Sequence, residues 1–135
     1  MRKGNSLEHF PNLVAMFLDR VEQRGDTPFL WAKRDGKWQS IRYNEAARQV
    51  AALSAALKGI GFERGDRIAL VSENRPEWLI ADLAIMAAGC VTVPTYTTNT
   101  TRDHAHVLGN SGARAVLVST QKLARTLIPA VLFSS

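Results

Sequence analysis

The sequence predicts an α/β fold in which βαβ units follow an N-terminal helix and a β-hairpin. Three observations predict it. Strand signals begin at Ile68, Val91 and Ala115, the first a continuous apolar run to Val71, so they recur every 23 or 24 residues, and helical signals fill the intervals. That is the cadence of parallel strands joined by right-handed crossovers. Unbroken apolarity, rather than alternation, suits strands covered on both faces. Upstream, Asp35-Gly36 separates two runs rich in aromatic and branched residues, the dipeptide favoured in tight hairpin turns.

The elements follow in order. Leu13, Val14, Phe17, Leu18 and Val21 recur at helical spacing after Asn12, whose side chain can cap the first turn, and Gly25 ends the run. Phe29 to Lys33 and Lys37 to Arg42 form the hairpin strands. From Asn44 to Lys58, Ala46, Val50, Leu53 and Leu57, joined by Ile60, give one apolar helical face, with Gly59 and Gly61 placed to stop it. Ile68 to Val71 is a buried strand. Pro76 opens the next helix at a position where its missing N–H is not needed. That helix, to Ala88, is apolar nearly all round and should be buried, and Gly89 terminates it. Val91 to Val93 is the next strand, closed by Pro94. Thr100 and Asp103 have capping-box spacing, so a helix begins near Thr101 and stops by Gly109. Ala115 to Val118 is the third strand, and Thr120 to Ile128 a last helix broken at Pro129.

Composition bounds the function classes. The 135 residues carry 17 Lys plus Arg against 12 Asp plus Glu, with 46% hydrophobic residues, which describes an ordered globular domain or part of one. The basic balance raises nucleic acid or an anionic surface as partners. The cations are scattered, however, and the densest group, Lys33, Arg34 and Lys37, sits at a hairpin tip with Asp35, which reads as a solvated loop and not as a nucleic-acid stripe. The longest apolar stretch, Leu79 to Val93, contains Asp82 and falls short of the roughly 20 residues that span a bilayer. MRKGNSLEHF has a charged start without an apolar segment after it, unlike a secretory signal. A lone cysteine, Cys90, fits a reducing compartment, so the expected location is the cytoplasm.

Each local chemical motif is matched by a structural explanation. Gly59-Ile-Gly61-Phe-Glu-Arg-Gly65 nearly repeats a dinucleotide fingerprint, but its order is helix, loop, strand. A phosphate cradle needs strand, loop, helix, so helix termination and a turn are expected instead. Val71-Ser-Glu-Asn-Arg-Pro76 has the right order but no glycine, and it places Glu73 where an anion would sit. His104 and His106 point to different sides of a helix and lack further ligands, so both are expected to be structural and partly exposed. Cys90 lies where a small hydrophobe is wanted. Ser111 precedes a strand and is a turn residue rather than a nucleophile. Thr95 to Thr101 follow the carboxyl end of a strand, where α/β sheets place ligands. Their hydroxyls either line a pocket there or form a polar loop leading into the Thr100 cap. No catalytic, cofactor-binding or metal-ligating residue is assigned.

Three longer stretches carry a resemblance. Trp38-Gln-Ser-Ile-Arg-Tyr-Asn-Glu45 leads into an Ala/Leu-rich helix. Gly65-Asp-Arg-Ile-Ala-Leu-Val-Ser-Glu-Asn-Arg-Pro-Glu-Trp78 and Met86-Ala-Ala-Gly-Cys-Val-Thr-Val-Pro-Thr-Tyr96 follow, the latter continuing into a Thr-rich loop. From Asn12 through Val118 the chain resembles the N-terminal region of AMP-forming adenylate synthetases, in particular long-chain fatty acid–CoA ligases. The resemblance implies that the βαβ units form part of the N-terminal domain of an adenylate-forming enzyme. In that family ATP and a carboxylic acid give an acyl-adenylate and pyrophosphate, and the thiol of CoA then displaces AMP; ATP, Mg2+, CoA and a fatty acid are thus implied for the full-length enzyme. Arg42 departs from the family pattern, where Ser or Thr commonly caps the following helix. The family's phosphate loop ending in Pro-Lys-Gly, its Tyr-Gly-x-Thr-Glu adenine segment, its ribose-binding Asp with the following Arg and its lid lysine have no counterpart here.

The matching positions are therefore scaffold. Residues 1–135 read as a partial N-terminal AMP-binding domain cut before the phosphate-binding loop, an expectation the uncharged, largely apolar ending Thr126 to Ser135 supports. Such a chain should be inactive alone, bind no cofactor by itself, and present strands short of sheet neighbours or covering helices, with self-association through the open sheet edge. The alternatives are a stand-alone α/β binding or interaction module kept from that scaffold, and a small nucleotide-binding protein, against which the missing phosphate loop argues.

Overall fold

The computed structural model describes residues 11–73 and 75–133. The charged start MRKGNSLEHF, Asn74 of the first βα junction, and Ser134 and Ser135 lie outside the described residues. Ten elements follow one another: α1 (Leu13–Arg24), β1 (Pro28–Arg34), β2 (Lys37–Arg42), α2 (Tyr43–Ile60), β3 (Arg67–Val71), α3 (Pro76–Ala87), β4 (Val91–Thr95), α4 (Thr101–Ser111), β5 (Ala115–Val118) and α5 (Gln121–Phe133). The α/β class and the hairpin are as expected.

Local signals act as read. Asn12 accepts from the Ala15 N–H and caps α1. Asp35 and Gly36 both adopt positive φ, 52° and 76°, which gives the hairpin a turn whose twist matches its strands. At the end of α2, Gly61 is left-handed; its N–H reaches the Lys58 carbonyl, and the Phe62 N–H reaches that of Leu57. This pair of bonds satisfies carbonyls the helix leaves open. Arg42 precedes α2 without a side-chain cap.

The main sheet has the order β4-β3-β5, all parallel. From β3 the chain steps to β4 on one side, then crosses back over β3 to β5 on the other. Crossovers of one hand that run in opposite directions must lie on opposite faces. The packing agrees: Leu57 of α2 and Ile85 of α3 meet Ile68 on one face, and Leu108 of α4 and Ala130 of α5 meet Ala69 on the other. Central β3 is consequently buried from Ile68 to Val71, where each large aliphatic contributes about 1.5–3 kcal/mol. A second cluster joins Phe17 of α1 to Ala46 and Val50 of α2 and to Ile80, Leu83 and Ala84 of α3. Phe29 of the hairpin stacks on Tyr43 at 4.4 Å between ring centroids, fastening the hairpin to this cluster.

Four expectations need correction. Pro94 does not close β4; it lies inside the strand opposite Leu70. As β4 is an edge, the missing N–H removes no bond that an inner strand would need. Gly109 does not stop α4, which runs to Ser111 and ends at left-handed Gly112. Pro129 does not break α5, which continues through it to Phe133, with Leu127 and Ala130 buried on either side. Helices do cover both faces of the main sheet. Among the described residues, β4 and β5 each lack a second neighbour, and all four β5 residues are only half-buried.

Candidate functional site

The parallel strands end together, and their carboxyl ends place Ser72, Thr95 and Ser119 along one edge. Two clefts open there on either side of the end of β3. One, of about 360 Å³, lies between β3, β5 and helices α2 and α3, with Gln49, Leu53, Ser72, Trp78, Leu117 and Ser119 among its walls. The other, of about 340 Å³, lies between β3 and β4 and is lined by Ser72, Glu73, Trp78, Thr95, Tyr96 and Thr97. Ser72 and Trp78 belong to both. This is the edge at which open α/β sheets take their ligands.

The Thr-rich segment serves both of its expected purposes. Thr95 and Thr97 face the second cleft. Thr100 accepts from the Asp103 N–H, and the Asp103 carboxylate accepts in return from the Thr100 N–H, completing the capping box. Those bonds hold the Asp103 carboxyl below its usual range. Thr101 donates to the Thr126 carbonyl and so ties α4 to α5.

His104 differs from expectation. It is fully buried, 0% exposed, because it shares the inner face of α4 with Leu108 four residues on. Its Nδ1 stands 3.2 Å from Thr95 Oγ1, and Thr95 Oγ1 accepts from Asn99 Nδ2 at 3.3 Å. Nε2 is buried without a partner, and burial pushes the imidazole pKa down. His104 thereby anchors the loop that walls the second cleft. His106 points away, exposed, beside Asn110 Nδ2 at 3.0 Å.

The charges near the clefts are compensated internally. Glu73 pairs with Arg75 at 3.2 Å, and Glu77 pairs with Arg34 of the hairpin. Among the described residues, no lysine or arginine lines either cleft. Among the described residues no group of three or more His, Cys, Asp or Glu converges. The residues present at this edge do not fit a metal-bound triphosphate, which calls for cations or converging N–H donors. Ser119 Oγ, buried and unpartnered, is the polar atom left open beside the first cleft. Sequence reasoning missed Ser72, Ser119 and Trp78. A usable signal was present for the serines, as each stands one position past a continuous apolar strand.

The remaining motifs are structural. Residues 59–65 form the helix end and turn already described. Asp66 follows, accepting from the Glu63 N–H at 2.7 Å and from Arg114, and these bonds lower its pKa. Cys90 is buried near the Glu63 carbonyl, where burial pushes the thiol pKa up. It borders a third cleft, of about 580 Å³, with Lys58 and Arg64 at the amino edge of the sheet. Ser111 bridges the α4 terminus, its hydroxyl accepting from the Ala113 N–H at 3.3 Å. No described helix is long and apolar enough to cross a membrane.

Known proteins share this arrangement. The chain is 37% identical over 111 residues to the long-chain-fatty-acid–CoA ligase FadD15 of Mycobacterium tuberculosis, covering 81% of this chain and 18% of that protein. Among solved structures, a benzoate CoA ligase from Burkholderia xenovorans superposes with a TM-score of 0.79 at 27% identity, covering 91% of this chain and 24% of that one. The N-terminal subdomain of Klebsiella oxytoca NpsA, solved with 3-hydroxyanthranilyl-AMSN, superposes with a TM-score of 0.73 at 29% identity, covering 82% and 27%. The chain thus spans less than a third of each of these proteins. A family model described as AMP-binding enzyme matches residues 17–132. With β1 through β5 inside that match, the chain belongs to the AMP-binding enzyme family.

Proposed function

We propose that this chain is the N-terminal part of the AMP-binding domain of a long-chain fatty acid–CoA ligase, and that it supplies scaffold rather than chemistry. In the complete reaction a fatty acid carboxylate oxygen attacks the α-phosphorus of ATP and pyrophosphate leaves, giving an acyl-adenylate. The sulfur of CoA then attacks the acyl carbon and AMP leaves. ATP with Mg2+, CoA and the fatty acid are the partners of that longer enzyme, which acts in the cytoplasm. No step is assigned to a residue of this chain. The observation that carries the reading is the 37% identity to a long-chain-fatty-acid–CoA ligase over 111 residues. A stand-alone binding module is not favoured, since the match to the enzyme family runs from residue 17 to residue 132.

The open side of β5 supports a second part of the proposal. β4 carries Pro94, which blunts it as a pairing edge, whereas β5 pairs with β3 alone among the described residues, which leaves its outer side open. In the isolated chain β5 is where a second copy would pair.

Two assays test the reading. ATP–pyrophosphate exchange with palmitate should be undetectable with the purified chain; robust exchange would overturn the scaffold assignment. Conversely, the chain should replace the matching segment of the M. tuberculosis relative with acyl-CoA formation retained. A folded but inactive chimera would count against the ligase assignment.

A further inference from the structure

The order β4-β3-β5 makes a topological switch point beside β3. The chain leaves β3 for α3, which packs on the face of Ile68, and leaves β5 for α5, which packs on the face of Ala69. The two loops part, and the cleft of about 360 Å³ between β3 and β5 is the crevice they leave. Its volume lies within the range of small-molecule pockets. Leu53, Leu70, Ile80 and Leu117 give it apolar walls. Glu77 is the one charged residue among its described walls, and it is paired with Arg34, which stands outside them. Ser119 Oγ is buried without a hydrogen-bond partner, although Ser119 itself is half-buried and lines the cleft. The hydroxyl turns about a single χ1 bond, so a partner placed in the cleft can reach it.

We propose that this cleft binds an uncharged aliphatic molecule carrying one hydroxyl, of the class of medium-chain alcohols, with its chain along the leucine and isoleucine walls and its hydroxyl on Ser119. The walls select that occupant. A carboxylate or phosphate would find no cation among them and would lie beside Glu77, whose partner Arg34 is already engaged. An ammonium would find no carboxylate that is not already paired. A purely aliphatic molecule would leave the Ser119 hydroxyl as it is, buried and unsatisfied. An alcohol removes that penalty, because its hydroxyl can both donate and accept. The occupant is therefore distinct from the acid, the nucleotide and the thiol of the ligase reading, and the proposal does not rest on that reading.

Trp78 borders the cleft and becomes its sole indole reporter when the other two tryptophans, the exposed Trp31 and Trp38, are replaced by Phe. The test is titration of the full chain in this form with 1-hexanol, 1-heptanol, 1-octanol and octanoate at about pH 7.5, where a carboxylate is ionised, followed by Trp78 fluorescence. The alcohols should shift the emission saturably, with affinity rising about fourfold per added methylene, the equivalent of about 0.8 kcal/mol. Octanoate should bind at least about tenfold more weakly than 1-octanol. Ser119 and Ala81 line this cleft and not the neighbouring one that shares Trp78, so they separate the two. Ser119→Ala should weaken 1-octanol binding about fivefold while leaving the free chain as stable or more so. Ala81→Phe, which adds a ring to the wall, should abolish binding; should that variant fail to fold, Ser119→Ala decides. No Trp78 response to any alcohol, octanoate binding as tight as that of 1-octanol, or unchanged binding in Ser119→Ala would each overturn the proposal. So would a Trp78 shift that follows protein concentration without alcohol, which marks a second copy as the occupant.

Discussion

Replacing His104 tests how the loop at the carboxyl edge is held. The side chain is fully buried, bonded once to Thr95 and unpartnered at Nε2. A buried polar atom left unpaired costs about 1–3 kcal/mol, and an ordinary hydrogen bond returns about 0.5–1.5 kcal/mol. His104→Leu removes both, while Thr95 keeps Asn99 as a donor. Its stability at neutral pH should therefore lie within about 1 kcal/mol of the parent, or above it. His104→Ala leaves a cavity and should lose about 2–5 kcal/mol. Acid separates the two sequences further. Burial lowers the native pKa of His104, opposed only by the neighbouring Asp103. Below about 6.5, the unfolded value, the unfolded chain binds a proton that the folded chain refuses. This contribution is complete above that pH and is lost as pH falls towards the native value, with a slope of at most about 1.4 kcal/mol per unit. Asp66 and Asp103, held low, titrate beneath this window. Urea unfolding followed by far-UV circular dichroism at about pH 7.5 and about pH 5.5 measures the difference, in which titrations common to both chains cancel. An equal acid slope in H104L, or a neutral-pH loss beyond about 2 kcal/mol, would refute the reasoning.

Three further substitutions probe local devices by the same unfolding measurement. An added Cβ at Gly25 would meet Asn44 Oδ1 at 2.3 Å, displacing the side chain that donates to Asp26. Gly25→Ala should cost about 1 kcal/mol alone and become neutral or stabilising when combined with Asn44→Ala, since its φ suits any residue. Thr100→Ala should lose about 1 kcal/mol with the capping box, and Thr100→Ser should recover most of it. Arg42→Ser should gain about 0.5–1 kcal/mol, because Arg42 already has the extended backbone of a cap without a capping bond.

Features specified by neighbouring residues were legible in the sequence. Asn12, Asp35-Gly36, Thr100 with Asp103, and the continuous apolarity of Ile68 to Val71 each act within a few residues of themselves, and each is realised. The misreadings share a cause, in that they depend on what lies across the fold. Pro94 is tolerable only once β4 is known to be an edge. Gly109 costs a helix little where Leu108 is buried beside it and Arg67 accepts the end of α4, its guanidinium donating to the Ser111 carbonyl at 2.7 Å. Pro129 survives inside α5 because Leu127 is buried and Ala130 packs with Ala69 of the sheet and Leu108 of α4, and that burial outweighs the lost backbone bond. Spacing alone separated His104 from His106. The choice of the inner one was available from Leu108, four residues later on the same face. The carboxyl edge itself was foreseeable from strand order, but its walls include Gln49 and Leu53 of α2, which only the packing of that helix brings there.

The electrostatics of this edge connect the scaffold reading to the structure. Glu73 and Glu77 border the clefts and, left bare, would repel any phosphate. Both are matched by arginines, Arg75 and Arg34. Pairs exposed to this degree add little to stability. Their consequence is for the field, which they bring close to neutral around walls whose other polar side chains are hydroxyls, the Gln49 amide and the Trp78 indole. A neutral cleft can shape and orient an uncharged or apolar group, but it supplies none of the charge that a transferring phosphoryl group requires. On the proposed ligase reading, these residues build the edge and hold its loop through His104 and Thr95, and the cations that meet phosphate in adenylation would come to that edge from residues other than these.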